Sequence, residues 1–357
     1  MPMCLRAAVA AAVLLVTSGF VWAQDKPEAD PAEVRALLTL ADEAAAGQAA
    51  SGIPLTWQGH HFIKSHGDRT YVPFTVAIDP GAFTGPASLS AYLRVTKQGE
   101  APAPAAAPAE KKDDQKKEDA AAPARPEYPF EDVFGVELPA PSAGGPAPVL
   151  RRAFAVPPGD YDVYVVVKER GAAAPAGGTD AAPAVRAGVV KQQISVPSLD
   201  GELTTSSIIL ADTVEELQSP LPPERQSEQP YTFGQMRLIP SADQSFPKSA
   251  DLNVIFWIYG AGTDPSTKKP DVEVQYNFHQ KLPDGGEKFF NRTEPTVMNA
   301  QTLPAQFDLA AGHQLPGSLA VPLASFPEGD FRLEVKVTDK ISGTSLTRDV
   351  PFTVTAQ

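Results

Sequence analysis

The chain has 357 residues, of which 43% are hydrophobic, and a formal net charge of −13 at pH 7. This length accommodates two or three domains with cores of their own, and the 37 prolines indicate many turns and linkers. The strong negative charge argues against nucleic acid or an anionic membrane surface as a partner.

The first 23 residues have the three parts of a secretory signal peptide. Arg6 supplies positive charge, Ala7 to Val16 form an apolar core, and Val21-Trp22-Ala23 offers small residues for cleavage before Gln24. The apolar run is shorter than the roughly 20 residues of a membrane-spanning helix. We therefore expect export to the periplasm or exterior of a bacterium and no transmembrane span in the mature chain. An uncleaved membrane anchor is the alternative.

The only cysteine, Cys4, precedes that apolar core. A lipoprotein cysteine would follow the core, so lipid attachment is not expected. Because Cys4 would be removed with the signal, the mature chain would have no disulfide, no thiolate nucleophile and no cysteine metal ligand.

A short amphipathic helix is predicted before the first strand. Asp30 is a favourable N-cap, Pro31 suits the first helical position, and Glu33 completes a capping-box pattern. Leu37 and Leu38 lie on its apolar face. A helix this short is marginal alone, so that face is expected to dock, either on the first β-domain or on another protein. Leu37 and Leu38 are therefore partner-binding candidates.

The strongest β signal is a strand pair near the end of the chain. Hydrophobic and polar residues alternate from Phe331 to Thr338 and again from Val350 to Val354, with Ser342-Gly343 at the reversal. An earlier stretch, Pro157 to Val167, repeats the same P-x-G-D-aromatic turn and the strand that follows it. Two β-domains closed by similar hairpins are therefore predicted.

The fold class predicted is mainly β, with two immunoglobulin- or fibronectin-like sandwiches in tandem and a short N-terminal helix. Pro73 within Thr70–Ile78 predicts an edge strand or a bulge. The sequence does not alternate predicted helices with strands, so a nucleotide-binding α/β fold is not expected. The predicted segments are a signal peptide (1–23), a polar leader and helix (24–50), a first sandwich (51–217) with an insertion (98–127), a Pro-rich linker (218–230) and a second sandwich (231–357).

The insertion at 98–127 combines Ala/Pro tracts with a run of nearly balanced charges and has almost no apolar bulk. This composition predicts a disordered loop between strands. A semi-extended spacer through or along the cell wall is the alternative.

No motif in the sequence specifies catalysis. Two S-x-x-K matches, Ser245 to Lys248 and Ser266 to Lys269, are interrupted or bracketed by prolines, and the S-D-N and K-T-G partners of penicillin-binding enzymes are missing. The chain is therefore expected not to be an enzyme and to need no cofactor. A hydrolase with an unrecognised carboxylate pair is an alternative.

His60, His61 and His66 form the only histidine cluster and lie in a polar stretch before a predicted strand. Exposed loop histidines are the simpler interpretation, and a weak transition-metal site is the sharper one.

Trp57 and Trp257 are glycan candidates, because an exposed indole ring can stack on a sugar. Trp257 lies in the apolar strand Leu252–Tyr259, so packing in a core is the favoured interpretation.

The closing hairpin also resembles a known group of proteins. F-P-E-G-D-F-R-L-E-V-K-V-T-D-K at 326–340 and T-R-D-V-P-F-T-V at 347–354 resemble C-terminal β-domains of exported bacterial GWxTD-motif and von Willebrand A-related envelope proteins. L-T-T-S-S-I-I-L-A-D at 203–212 resembles the strand before such a domain. Neither G-W-x-T-D nor the D-x-S-x-S metal-adhesion motif occurs, so the resemblance implies an exported accessory β-domain and transfers no functional residue.

These observations favour an exported, non-enzymatic envelope protein that serves as a structural or protein-interaction module for an unidentified envelope protein. A carbohydrate-binding accessory protein of the cell surface is the alternative function.

Overall fold

The computed structural model describes residues 30–48, 52–100, 126–142, 145, 147–170 and 186–356. The predicted signal peptide and most of the 98–127 insertion lie outside the described residues. Within those ranges, no helix combines the length and hydrophobicity needed to cross a membrane.

Helix α1 (Pro31–Ala45) precedes the first sandwich. The strands of this sandwich are β1 (Leu55–His60), β2 (Ile63–Lys64), β3 (Thr70–Ile78), β4 (Ala87–Lys97), β5 (Phe130–Leu138), β6 (Val149–Val156), β7 (Gly159–Glu169) and β8 (Ala187–Val196), with a 3-10 turn at Pro80–Ala82. One sheet has β3 between β1 and β6, with β2 also paired to β3, and the other has the order β5-β4-β7-β8.

The second sandwich contains the remaining strands. They are β9 (Thr204–Thr205), β10 (Ile209–Glu216), β11 (Thr232–Phe233), β12 (Met236–Pro240), β13 (Ser245–Pro247), β14 (Asp251–Tyr259), β15 (Val272–Lys281), β16 (Glu287–Arg292), β17 (Thr296–Met298), β18 (Leu315–Pro322), β19 (Gly329–Asp339) and β20 (Ser345–Thr355), with helix α2 (Pro223–Gln226) and a 3-10 turn at Leu323–Ser325. One sheet has the order β11-β12-β10-β14-β18, with β9 on β14. The other has the order β13-β20-β19-β15-β16, with β17 on β15.

The two sandwiches share one topology. Seven strands of the first sandwich have an equivalent in the second. In chain order, the first set is β1, β3, β4, β5, β6, β7 and β8, and the equivalent set is β10, β14, β15, β16, β18, β19 and β20. The predicted fold class is therefore confirmed: the chain is mainly β, with two immunoglobulin-like sandwiches and one short N-terminal helix.

The repeated P-x-G-D-aromatic turn opens the equivalent strands β7 and β19. Gly159 and Gly329 adopt φ values of +150° and +127°, which glycine tolerates best. The aspartate after each glycine accepts a hydrogen bond from the neighbouring strand, Asp160 from Ser195 at 2.6 Å and Asp330 from Thr353 at 2.7 Å. The same local sequence thus builds the same strand entry twice.

Each sandwich has its own hydrophobic core between its sheets. Alternate residues of β3 and β7 fill the first core, and alternate residues of β15 and β19 fill the second. A third buried cluster lies between the sandwiches, and a fourth lies under α1.

Of the two predictions for Pro73, an edge strand or a bulge, the edge strand is wrong, because β3 is paired on both sides. Strand β3 pairs with β6 along one side and with β1 and β2 along the other. Pro73 lies opposite the break between β1 and β2, and its carbonyl accepts the backbone N–H of His61 at 3.0 Å. In an antiparallel ladder, the N–H and the C=O of one residue face the same neighbouring strand. The position where Pro73 lacks an N–H therefore faces the break between β1 and β2.

The predicted boundary between the sandwiches is also corrected. Strands β9 and β10, placed by sequence in the first sandwich, pair with β14 of the second. The Pro-rich segment 218–230 connects β10 to β11 within a single sheet. Proline content marks a loop, but it does not tell whether the loop joins two domains or two strands.

Candidate functional site

Two of the candidate residues, His61 and Trp257, lie where the two sandwiches meet. The residues buried at this place, called the junction here, come from both sandwiches: Ile63, Leu199, Ile209, Ala211, Tyr231, Leu238, Ile255, Trp257 and Tyr259. Phe62, Tyr71, Phe233 and Met236 pack around them while partly exposed. The junction is therefore an apolar cluster to which each sandwich contributes.

Buried hydrogen bonds cross the junction as well. The hydroxyl of Tyr71 donates to the carbonyl of Pro230 at 2.9 Å, and the hydroxyl of Tyr259 accepts the backbone N–H of Lys64 at 3.1 Å. Burial raises the pKa of Tyr71, and it raises that of Tyr259 to about 12. Both phenols therefore stay protonated and neutral across the physiological pH range.

The strand connection before β10 also bonds to the first sandwich. The backbone N–H of Phe62 donates to the Ser207 hydroxyl at 2.8 Å, and the N–H of Ser207 donates back to the Phe62 carbonyl at 2.8 Å. These reciprocal bonds fix the second sandwich to the segment between β1 and β2.

His61 and Tyr231 lie at the centre of the junction. The Tyr231 hydroxyl donates to the carbonyl of Pro73 at 3.1 Å and lies 2.9 Å from Nδ1 of His61. Burial, together with the charge of His60, lowers the pKa of His61 to about 4, so His61 is neutral at pH 7.

The histidine cluster does not form a metal site among the described residues, where no three His, Cys, Asp or Glu side chains are grouped to hold an ion. His66 is exposed in a turn, and the ring of His60 packs against Phe62 at 5.0 Å. His61 is not the exposed loop residue that the simpler interpretation predicted, because the second sandwich covers it.

Trp257 presents no platform for a sugar, and Trp57 is only partly exposed. Trp257 is 3% exposed and packs against Phe233 at 4.6 Å within the junction. Trp57 is half-buried, stacks on Phe74 at 4.7 Å and donates its indole N–H to Nδ1 of His60 at 3.3 Å. For Trp257, packing in a core is the observed role.

Helix α1 covers the outer face of the sheet that contains β4 and β7. Asp30 caps it by accepting the N–H of Ala32 at 3.0 Å. Leu37 and Ala41 are fully buried, and they form a cluster with Tyr92 and Val166. Of the two dockings predicted for this face, on the first β-domain or on another protein, the structure shows the first, so Leu37 is not a free partner-binding handle. Leu38 is half-buried beside the same cluster.

Two ion pairs hold α1 on this face. Asp42 accepts from Nη1 of Arg94 at 2.5 Å, and Glu33 accepts from Nζ of Lys168 at 3.3 Å. Glu33 therefore bonds to the sheet. In a capping box it would instead bond to the N-terminus of its own helix.

Arg94 is itself enclosed at this contact. It is 2% exposed, and its guanidinium lies over the rings of Tyr128 and Tyr164, 4.9 and 5.4 Å from their centroids. Burial opposes the charge of Arg94, but the hydrogen bond to Asp42 and the electrostatic interactions with Tyr128, Tyr92 and Asp42 together outweigh it, so the pKa is raised.

The equivalent face of the second sandwich is polar. Tyr92 faces Val166 across β4 and β7, while Gln275 faces Lys336 at the matching register of β15 and β19. Across the described residues, no helix packs on that face. The helix contact is therefore a property of the first sandwich alone.

An ion-pair network occupies this second face. Arg332 bonds to Glu287 at 2.8 Å, Asp349 at 2.5 Å and Glu334 at 3.4 Å. Glu334 also accepts from Asn277 at 2.9 Å. The hydrogen bond from Arg332 lowers the pKa of Glu287, so Glu287 is charged at neutral pH.

A shallow cavity of about 200 Å³ lies near the base of the closing hairpin. Its polar lining includes Asp243, Lys281 and Asp330, and Asp330 is already bonded to Thr353. Typical ligand sites enclose about 300–1,000 Å³, so this cavity is small for a ligand site.

The fold and the contacts define a two-sandwich β-protein whose sandwiches meet at a bonded junction. No protein-family model matches the chain, and no curated protein matches it. Trypsin-activated alpha-2-macroglobulin from Escherichia coli is similar in structure at 13% identity and a TM-score of 0.21, over 86% of this chain and 17% of that one.

The native conformation of E. coli alpha-2-macroglobulin is similar at 12% identity and a TM-score of 0.19, over 86% of this chain and 16% of that one. The chain thus spans less than a fifth of the length of either protein. Likenesses of this size carry no argument about its activity.

Proposed function

We propose that the protein is an exported, non-enzymatic module of the bacterial envelope that acts through its shape and through protein contacts. The observation that carries the proposal is the junction, where hydrogen bonds and an apolar cluster tie two sandwiches of the same topology together.

Domains in one chain ordinarily move relative to each other unless their interface is large and hydrophobic. Here the apolar contacts are supplemented by buried hydrogen bonds, each worth about 0.5–1.5 kcal/mol, with a larger penalty when a buried partner is left unsatisfied. These terms favour one relative orientation of the sandwiches. A rigid pair of sandwiches holds its outer faces at fixed spacing, which suits a structural or docking role.

The proposal of export rests on the sequence of residues 1–23 and on a mature chain without cysteine. The resemblance of 326–354 to accessory β-domains of GWxTD-motif and von Willebrand A-related envelope proteins supports the same location and remains a proposal. The partner is expected to be an envelope protein, because no observation on either tryptophan favours a glycan.

Crosslinking of the tagged full-length protein in its native host, followed by mass spectrometry, tests this function. We expect a recurrent protein adduct that weakens in Tyr231→Phe and persists in Tyr276→Phe, because both changes remove a buried phenol but only the first lies at the junction. If the chain forms no protein adduct and is instead retained on purified cell wall or exopolysaccharide, carbohydrate binding replaces this proposal.

A further inference from the structure

We propose that the free edge of strand β6 binds an extended acidic segment of a partner protein, whose carboxylates bond to the guanidinium groups of Arg69 and Arg152. The inference rests on the proposed function as a protein-interaction module and names the chemistry of the partner. It is carried by a row of unpaired backbone N–H groups that lies beside arginines without a carboxylate partner.

Strand β6 is an edge strand of the first sandwich. It pairs with β3 along one side and, in the described part of the chain, with no strand along the other. The N–H of Ile78 donates to the carbonyl of Pro148 at 2.9 Å, so Pro148 and every second residue after it face β3. The backbone groups of the remaining residues point away from β3. These residues are Val149, Arg151, Ala153 and Ala155.

Two arginine side chains cover carbonyls of this edge. Nη1 of Arg69 donates to the carbonyl of Ala155 at 3.0 Å, and Nη1 of Arg152 donates to the carbonyl of Arg151 at 3.1 Å. What the edge offers is therefore mainly donors, the backbone N–H groups and the remaining N–H groups of the arginines. A carboxylate is the matching ligand, because it only accepts hydrogen bonds.

Arg152 is enclosed without an acidic partner. It is 9% exposed, and its guanidinium lies over the ring of Phe134 on β5, 4.1 Å from the centroid. Its Nε is buried and has no hydrogen-bond partner in the described structure. Burial lowers the pKa of Arg152, and the charges of Asp132 and Glu228 raise it without forming an ion pair with it. A carboxylate that bonds to this guanidinium would compensate a buried charge.

The neighbouring arginines are not neutralised either. Among the described residues, neither Arg69 nor Arg151 forms an ion pair, and Nε of Arg151 is buried without a hydrogen bond. Asp212 acts on Arg151 only from beyond ion-pair distance. Other arginines of the same sandwich, such as Arg94 and Arg186, bond to carboxylates. In a chain with a net charge of −13, β6 therefore carries a local positive surface.

The equivalent edge of the second sandwich is built differently. The N–H of Leu323 donates to the carbonyl of Ala250 at 3.1 Å, which fixes the alternation along β18. The residues that face away from β14 are Pro316, Ser318, Ala320 and Pro322. The two prolines remove N–H groups from this edge, and proline at an edge opposes the addition of another strand. The free edge of β6 has no proline, so its donors remain available.

The inward side of β18 also lacks a counterpart of Arg152. Its inward-facing residues are Leu315, Gly317, Leu319 and Val321. None of them carries a charge. The sandwich fold therefore does not itself require a charged residue where β6 has Arg152, which favours a role for this arginine in binding.

An acidic segment can take over both arginine contacts. In strand addition, N–H groups of the partner bond to the edge carbonyls, and carbonyls of the partner bond to the edge N–H groups. The guanidinium groups released from the carbonyls of Arg151 and Ala155 then bond to carboxylates in pairs of hydrogen bonds. The strand rises about 13 Å between these residues, so an extended segment of about five residues with an acidic residue at each end spans the site.

Binding of a synthetic peptide to the full-length protein tests the inference. The probe is fluorescein-labelled Thr-Glu-Val-Thr-Val-Glu-Thr, and its control has glutamine in place of both glutamates. Fluorescence anisotropy is measured at about 0.15 M salt, where charges beyond about 8 Å are largely screened. We expect the acidic peptide to bind and the glutamine peptide to bind about tenfold more weakly or less, because a charge-assisted hydrogen bond is the stronger kind.

Variants locate the site on the arginines. Arg69→Gln and Arg152→Gln are each expected to weaken binding of the acidic peptide about tenfold. Arg35→Gln is the control, because this exposed arginine also donates to a backbone carbonyl, that of Pro31, but lies on α1. Circular dichroism reports folding, and Arg69 is exposed, so its variant remains informative if Arg152→Gln does not fold.

A proline variant locates the site on the backbone edge. Ala153→Pro removes an N–H that faces away from β3 and leaves the β3 ladder in place, so it is expected to abolish binding. Ala320→Pro makes the same change on the equivalent edge of β18 and should have no effect. Hydrogen exchange at the amides of Arg151, Ala153 and Ala155 should slow when the acidic peptide is bound.

Three results overturn the inference. They are equal affinity for the two peptides or no binding at millimolar concentration, unchanged binding in Arg69→Gln or Ala153→Pro, and binding without slower exchange at the β6 amides, which indicates an anion contact without strand addition. All measurements use purified protein and a synthetic peptide. Their failure is therefore distinct from failure of the crosslinking experiment in the host, which tests the proposed function.

Discussion

His61 Nδ1 lies 2.9 Å from the hydroxyl of Tyr231, and this hydroxyl in turn donates to the carbonyl of Pro73. His61 and Pro73 belong to the first sandwich, while Tyr231 directly precedes strand β11 of the second. One phenol therefore contacts two groups of the neighbouring sandwich, of which the Pro73 carbonyl also accepts the backbone N–H of His61.

Replacing Tyr231 by phenylalanine is expected to reduce the free energy of unfolding by about 1–3 kcal/mol, because the His61 ring loses its contact with the hydroxyl and the Pro73 carbonyl loses one of its two donors. Tyr276→Phe is the matched control, since its hydroxyl makes only a long contact of 3.5 Å to Ser318. Urea denaturation measures both. Equal losses in the two variants would contradict a special role for the junction phenol.

Stability should also depend on pH through His61. Its pKa in the folded protein, about 4, lies below the ordinary value of 6.5, so the unfolded chain binds more protons between these values. The free energy of unfolding therefore falls as the pH is lowered from about 6.5 towards 4, by up to about 3 kcal/mol.

The measurement is the difference between wild type and His61→Asn in urea unfolding across this pH range. Carboxylates such as Glu287 titrate in both proteins and cancel in the difference. Parallel pH profiles for the two proteins would show that His61 is not buried as a neutral group.

Leu37→Ala is expected to release α1 while leaving both sandwiches folded. Removing a fully buried leucine costs about 2–5 kcal/mol where the site cannot collapse. A helix this short is only marginally stable without its docking contacts, so it is expected not to survive this loss. Hydrogen exchange of the α1 amides should become fast. Leu38→Ala, at a half-buried position of the same helix, should change exchange much less, and a reversal of this order would contradict the observed orientation of the helix.

Gly188→Ala is expected to destabilise the first sandwich, because the added Cβ overlaps the backbone carbonyl of Ile53. Overpacking of this kind costs about 1–3 kcal/mol. Gly59→Ala, where the structure has no atom near the added Cβ, is the control. Thermal unfolding of both variants decides the matter: a wild-type melting temperature for Gly188→Ala would show that Ile53 does not pack there.

Arg332→Ala should be destabilising by about 1 kcal/mol at low salt and by less at high salt. The change leaves Glu287, Glu334 and Asp349 without the cation they share, and salt screens the resulting repulsion. Arg348→Ala on the adjacent strand is the control, because its guanidinium donates to Thr204 and Thr347. A loss that does not depend on salt would indicate packing and not charge.

The architecture could be predicted because it follows from local pattern. Alternation in Phe331–Thr338 and the repeated turn at Gly159 and Gly329 identify strands and their pairing without any knowledge of distant contacts. The N-terminal helix was predicted from Asp30 and Pro31 for the same reason, since capping is local.

The junction could not be predicted, because its residues are brought together from distant parts of the chain. Tyr71 and Tyr231 belong to no sequence motif, and the prolines between β10 and β11 indicate a linker without telling whether it joins two domains or two strands. His61 lies in a polar stretch, so its sequence surroundings suggest exposure, although the second sandwich partly covers it.

One feature of the sequence indicates that a helix packs on the first sandwich. The run from Val163 to Val167 is apolar on both faces of β7, whereas the equivalent strand β19 alternates cleanly. A strand of this kind is covered on both sides. This difference could have assigned α1 to the first sandwich, although not the ion pair of Asp42 with Arg94.

The central claim, that the junction holds the sandwiches in one orientation, is tested most directly by a distance measurement between them. Spin labels attached at the exposed positions 56 and 347, through Thr56→Cys and Thr347→Cys, report this distance by pulsed electron paramagnetic resonance. We predict one narrow distance distribution, which broadens when Tyr71→Phe and Tyr231→Phe are combined. A distribution that is already broad in the labelled protein with both tyrosines intact would contradict the account.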